Sequence, residues 1–121
     1  QTRRLCYSTG GHPPLLLYPS ADAKAPIALR TPGLVVGGMP DMDYQNGECT
    51  VDSGAKLYVF SDGVFELTNR DGSIANFNDF VRELSVIVSS GGTVEAVIGR
   101  ARDLQGRPDF DDDYSMLEFR F

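Results

Sequence analysis

Short apolar runs broken by glycine and proline fill the first half of the chain, and two longer stretches with helical spacing follow. Residues 5–8, 15–18, 27–30, 33–38, 48–51 and 57–61 carry the apolar and β-branched residues of strands, separated by punctuation such as Thr9-Gly10-Gly11-His12-Pro13-Pro14 and Pro19-Ser20-Ala21-Asp22. Leu57-Tyr58-Val59-Phe60 is the clearest strand, closed abruptly by Asp62-Gly63. Phe80, Leu84, Ile87 and Val88 then recur at helical spacing, with Asn78 as the expected N-cap and Gly91-Gly92 as the stop. Val94, Val97, Ile98, Ala101 and Leu104 form a second stripe, capped by Thr93 with Glu95 in its first turn and ended by Gly106. Residues 114–121 read as a last strand with Ser115, Leu117, Phe119 and Phe121 on one face. Strands, two helices and a strand make an α+β arrangement.

Composition narrows the class. The chain has 121 residues, 41 % hydrophobic and 23 % charged, an ordinary globular mix that fits one domain or part of one. Its net charge of −6 argues against nucleic acid, which needs a basic stripe. No apolar run approaches the ~20 residues of a membrane span, and no signal segment opens the chain, so a cytoplasmic protein that does not engage membranes is expected. Cys6 and Cys49 fit no zinc spacing and are read as buried, reduced thiols. Residue 1 is Gln, and residues 2–7 already read as strand, so the chain looks like part of a longer polypeptide.

Most familiar site patterns fail on spacing. The glycines of residues 33–38 do not match a dinucleotide fingerprint, and no Walker lysine follows a glycine-rich loop. The Asp41–Gly47 stretch misplaces the glycine of a calcium loop. The single histidine, His12, precedes two prolines, and no GxSxG elbow accompanies it. The carboxylates say more. Asp62 ends a strand that reads as buried, where a charge is avoided unless it is paired or bound to a cation, the plainer alternative being that Asp62-Gly63 is simply a turn. Asp109, Asp111, Asp112 and Asp113 crowd four like charges into five residues, a cost that solvent or a divalent cation relieves. If the last strand pairs near residues 57–61, both groups meet at one end of a sheet. Such an oxygen-rich site suits Mg²⁺ or Mn²⁺ rather than zinc. Strand parity does not choose between Asp112 and Asp113.

Four motifs in order, Tyr7-Ser8-Thr9-Gly10-Gly11-His12-Pro13-Pro14-Leu15-Leu16-Leu17, Gly37-Gly38-Met39-Pro40, Leu57-Tyr58-Val59-Phe60-Ser61-Asp62-Gly63-Val64-Phe65-Glu66 and Asp112-Asp113-Tyr114-Ser115-Met116-Leu117, resemble the C-terminal half of a bacterial protein phosphatase 2C-like domain. The subgroup is the sporulation stage II protein E and sigma-factor-regulator type of serine/threonine phosphatase. The resemblance implies a mainly antiparallel β-sandwich flanked by helices, of which residues 1–121 are the C-terminal portion. It also implies a two-metal Mn²⁺ or Mg²⁺ site whose shared water attacks the phosphorus of phosphoserine or phosphothreonine. By motif, Asp62 and Asp112 would ligate one metal, with Asp113 as the alternative ligand, and Gly63 would permit the turn that aims Asp62. His12 and its glycines would be structural.

The family's bridging aspartate comes from an upstream Asp-Gly motif, and none precedes Tyr7. This chain alone is therefore expected to be inactive, while its parent dephosphorylates a regulatory protein such as an anti-sigma-factor antagonist. The alternative is a non-catalytic phosphatase-like module that binds a signalling partner. Open sheet edges also leave a homo-oligomer as an expected arrangement.

Overall fold

The computed structural model describes residues 3–121; the start of the strand-like opening at Thr2 lies outside the described residues. Six strands and two helices follow in the order β1 (Arg3–Tyr7), β2 (Leu15–Tyr18), β3 (Ile27–Leu29), β4 (Gly47–Val51), β5 (Lys56–Phe60), α1 (Phe77–Ser89), α2 (Val94–Gln105) and β6 (Met116–Arg120). The chain divides into two compact units, Gln1–Val59 with Glu118–Phe121, and Phe60–Leu117.

The first unit is built from antiparallel strands. β1 pairs with β4, and a second sheet has the order β3-β2-β5-β6. The register Leu17↔Leu57 and Leu16↔Tyr58 sends alternate side chains to opposite faces. Leu17, Leu29 and Leu57 meet Val51 and Ala55 in a buried cluster, with Leu5, Tyr7 and Cys49 from the β1–β4 pair packed against it. Two layers thus share one apolar interior, as in a sandwich. On the other face of the four-stranded sheet, the rings of Tyr18 and Tyr58 meet edge-on at 5.8 Å. The Tyr58 hydroxyl donates to Glu118 Oε2 at 2.9 Å, and Arg120 pairs with the same carboxylate. Burial, reinforced by that carboxylate, raises the Tyr58 pKa.

The second unit holds both helices and a cluster of aromatic rings. Phe60, Phe65, Phe77 and Phe80 lie within 6.5 Å of one another, centroid to centroid, several of them edge-on. Phe80, Leu84 and Val88 of α1, and Val97 and Ala101 of α2, are buried with Val64 and Leu67. The helices are tied by a bidentate pair, Arg100 Nε to Glu83 Oε2 at 2.8 Å and Arg100 Nη2 to Glu83 Oε1 at 3.2 Å. α2 ends at Gly106, whose φ of +75° makes the left-handed cap that glycine favours.

Four sequence expectations change. Residues 33–38 form no strand: Gly33 and Gly37 have positive φ, and Leu34, Val35 and Val36 are exposed in a turn closed by Gly38 N–H donating to the Val35 carbonyl at 2.9 Å. An apolar run becomes a strand only where a ladder partner and a covered face exist, and neither is found for it among the described residues. The N-cap of α1 is Asn76, not Asn78; Asn76 Oδ1 accepts from the Asp79 N–H at 3.0 Å, and Phe77 enters the aromatic cluster as the first helical residue. Thr93 does stand at the N-cap of α2, but its side chain makes no capping bond to the backbone. It is instead hydrogen-bonded to Glu95, which lowers the Glu95 pKa. Finally, Cys6 is exposed and Cys49 only half-buried, both free. The register Cys6↔Glu48 and Leu5↔Cys49 turns Cys6 to the Glu48 side of the ladder and Cys49 toward the apolar cluster.

Candidate metal centre

β5 hands the chain to a single 3₁₀ turn, Asp62–Val64. Gly63 and Val64 are buried in it, whereas Asp62 is exposed, so the carboxylate leaves the strand end for solvent and the burial expected from its position does not arise. Its Oδ1 accepts from the Gly63 N–H at 3.0 Å. That bond fixes the side chain against its own turn.

β6 lies beside β5, and the segment leading into it carries the acidic residues. A buried side chain organises that segment: Gln105 Nε2 donates to the carbonyls of Arg107 at 2.9 Å and Asp109 at 2.8 Å. Phe110 stacks on Tyr114 at 4.3 Å, and the Arg102 guanidinium sits 5.7 Å from the Phe110 centroid. Asp111 is neutralised by Arg107. Asp112 and Asp113 are exposed, and Asp112 Oδ1 accepts from the Asp113 N–H at 2.7 Å, repeating the arrangement at Asp62 and Gly63.

The two acidic turns are in contact. A Cβ on Gly63 would collide with the Asp113 carbonyl oxygen and lie 3.1 Å from its carbon and 3.4 Å from Asp112 Cβ. Gly63 is therefore required for close approach rather than for an unusual φ. Ser61 secures the approach: its N–H donates to the Ser115 carbonyl at 2.9 Å, its hydroxyl donates to the Asp113 carbonyl at 2.8 Å, and the Ser115 N–H donates back to that hydroxyl at 3.1 Å. Asp62 and Asp112 are thus brought together, with Asp113 facing the turn through its backbone. Ser61 is absent from the sequence candidates; the only signal for it is a small hydroxyl residue immediately before Asp-Gly.

The donor set suits a hard cation. Each aspartate commits one oxygen to a neighbouring N–H, and the other oxygen meets no donor among the described residues. Two exposed carboxylates from adjoining turns match the oxygen ligands and retained waters that Mg²⁺ and Mn²⁺ take. Among the described residues no group of three or more histidine, cysteine or acidic side chains is placed to hold a metal.

Two other features stay outside this pair. A cavity of about 210 Å³ in the helical unit is lined by Phe65, Phe80, Leu84, Val97 and Tyr114, but by neither Asp62 nor Asp112. Burial pushes the Tyr114 phenol up to about 12, and its hydroxyl has no hydrogen-bond partner among the described residues. His12 sits in the turn after β1, where its N–H donates to the Thr9 carbonyl at 2.8 Å and its Nδ1 lies 2.9 Å from the Pro13 carbonyl. Gly10 and Gly11 take positive φ, and a Cβ on Gly11 would come within 2.7 Å of Val35 Cα. Thr9 and Thr31, both buried, exchange hydrogen bonds: Thr31 Oγ1 accepts from the Thr9 N–H at 2.9 Å, and Thr9 Oγ1 accepts from the Thr31 N–H at 3.0 Å.

Comparison with known proteins supplies the family. No curated protein sequence matches the chain. Among solved structures, the chain is similar to the RsbU and RsbW domains of Rv1364c from Mycobacterium tuberculosis, at a TM-score of 0.72 and 21 % identity over 97 % of this chain and 32 % of that one. It is similar to the SiaA-PP2C domain of Pseudomonas aeruginosa, at 0.66 and 22 % over 98 % and 47 %. It is also similar to the structure of the PP2C phosphatase domain and a fragment of the regulatory domain of SpoIIE from Bacillus subtilis, at 0.60 and 18 % over 98 % and 34 %. The chain thus spans a third to a half of these solved chains, and it has part of the PP2C fold. The sequence profile of Stage II sporulation protein E matches residues 1–121, and the chain belongs to the Stage II sporulation protein E (SpoIIE) family.

Proposed function

We propose that the protein containing this chain is a Mn²⁺- or Mg²⁺-dependent serine/threonine phosphatase acting on a phosphorylated regulatory protein, for instance an anti-sigma-factor antagonist. The observation that carries the reading is the contact between the Asp62 and Asp112 turns at Gly63. It sets two carboxylates at one end of the β5–β6 pair, each already oriented by the N–H of the next residue. Asp62 and Asp112 would hold one cation between them. Asp112 is preferred over Asp113 because its Cβ lies toward Gly63, whereas Asp113 meets the turn through its carbonyl.

When bound, a pair of such cations supplies a water of lowered pKa and neutralises charge on the phosphoryl oxygens. The residues of this chain contribute charge and placement. Exposure of both aspartates leaves the site open to a side chain presented by a protein, as a phosphoserine or phosphothreonine requires. The remaining ligands would come from chain upstream of Tyr7, in keeping with the share of the solved PP2C chains that these residues cover. Taken alone, residues 1–121 should be inactive. RsbX, a further structural neighbour at a TM-score of 0.57 and 18 % identity, was solved in complex with magnesium, which supports a hard divalent cation here.

The test is phosphate release from a phosphoserine protein by the full-length natural protein, with Mn²⁺ and after chelation. Release that requires Mn²⁺ is expected. A folded protein that binds a phosphoprotein without hydrolysing it under any divalent cation would instead identify a non-catalytic module and overturn the enzymatic reading.

A further inference from the structure

We infer that Ser61 is a positioning residue that fixes the separation of Asp62 and Asp112, an assignment that rests on the metal-dependent phosphatase reading. Each aspartate orients its side chain only against its own turn, through the bonds to Gly63 N–H and Asp113 N–H. Neither bond sets where one turn lies relative to the other. Ser61 does. It precedes Asp62 by one peptide; its carbonyl accepts from the Val64 N–H of its own turn, and its other three hydrogen bonds reach Asp113 and Ser115, which begin one residue after Asp112. The backbone bond to the Ser115 carbonyl alone would let the 112–115 segment pivot about one point. The hydroxyl adds a second and third point by donating to the Asp113 carbonyl and accepting from the Ser115 N–H. A group that holds a ligand-bearing backbone in place acts as the outer shell of a metal site does, and removing such a partner typically weakens metal binding by about 10–100-fold.

The backbone at Ser61 is extended, with φ −75° and ψ 163°, a conformation that a β-branched residue also accepts. Ser61→Thr therefore keeps the hydroxyl, whereas Ser61→Ala keeps only the backbone bond. The experiment is calorimetric titration of the full-length protein with Mn²⁺ alone, at a temperature where every variant is folded by circular dichroism. S61A should weaken Mn²⁺ binding by about tenfold, and S61T should restore it to within about threefold of the parent. In turnover, kcat should fall for S61A while the KM for the phosphoprotein stays nearly constant.

A merely structural serine would lower the melting temperature and leave the Mn²⁺ affinity of the folded protein unchanged. That result overturns the assignment while leaving the phosphatase reading intact. If the parent protein itself takes up no Mn²⁺, the phosphatase reading fails and this assignment falls with it. Should S61A not fold, Ser61→Cys keeps the volume while weakening both side-chain bonds, so parental affinity in that variant also overturns the assignment.

Discussion

Gly63 and the carbonyl of Asp113 approach so closely that no side chain fits between them. The contact joins the two acidic turns, so substitution at Gly63 should act on stability and on the site together. Gly63→Ala would force the turns apart at a cost of about 1–3 kcal/mol, the range for overpacking a close contact. Urea unfolding of the full-length protein checks the stability, and Mn²⁺ titration checks the site. Both should worsen, whereas a substitution at Gly72, where added volume meets nothing within 4 Å, should leave Mn²⁺ binding unchanged.

Gln105 is buried in the last turn of α2, and its amide holds two carbonyls of the segment before Asp111. Gln105→Leu keeps most of the volume but leaves the carbonyls of Arg107 and Asp109 without that donor. A loss of about 1–3 kcal/mol is expected, read by thermal or urea denaturation. Amide exchange should rise at residues 107–111 before it rises in α1.

The Glu83–Arg100 pair sets a pH dependence with a definite sign. The Arg100 hydrogen bond holds the Glu83 carboxyl below its ordinary range, more strongly than partial burial raises it. The folded state therefore favours the carboxylate relative to the unfolded chain. Its contribution is fully present above the ordinary glutamate pKa of about 4.3 and is lost as pH falls through the lower folded value. Both side chains are more than a third exposed, so solvent screening reduces the effect. Glu83→Gln should cost about 0.5 kcal/mol at pH 7 and much less near pH 3, as denaturation at the two values would show.

Thr9 and Thr31 answer for the glycine-histidine turn. Thr31→Val removes the hydroxyl that accepts from the Thr9 N–H while keeping the shape. A buried donor left without its acceptor costs about 1–3 kcal/mol, so the variant should unfold at correspondingly lower urea concentration. His12→Asn, by contrast, should leave Mn²⁺ binding unchanged, because among the described residues His12 bonds only to its own turn.

The strands and helices were legible wherever local periodicity coincides with a buried face, as at Leu15–Tyr18 and Lys56–Phe60, or at Phe80, Leu84 and Val88. Residues 33–38 show where periodicity alone misleads: Val35 and Val36 are as apolar as any strand residue, but glycines on either side turn the chain and leave them in solvent. Asn76 and Asn78 are equal as caps on composition. The choice falls to Asn76 because the helix must begin early enough for Phe77 to join Phe60 and Phe65. At the site, Asp62, Gly63 and Asp112 stood out through residue type and motif order. Ser61, Gln105 and the Glu83–Arg100 pair did not, since each acts through residues 17 to 54 positions away or through a carbonyl, neither of which leaves a local pattern.

The central claim is that Asp62 and Asp112 jointly hold a catalytic cation. Mn²⁺-dependent phosphate release from a phosphoserine protein, measured for the full-length protein and its Asp62→Asn, Asp112→Asn and Asp113→Asn variants, tests it most directly. Loss of a ligand should reduce the rate at least about 100-fold in the first two variants, with circular dichroism unchanged and the Asp113→Asn rate within a few-fold of the parent. A folded Asp62→Asn variant that releases phosphate at the parental rate would contradict the claim.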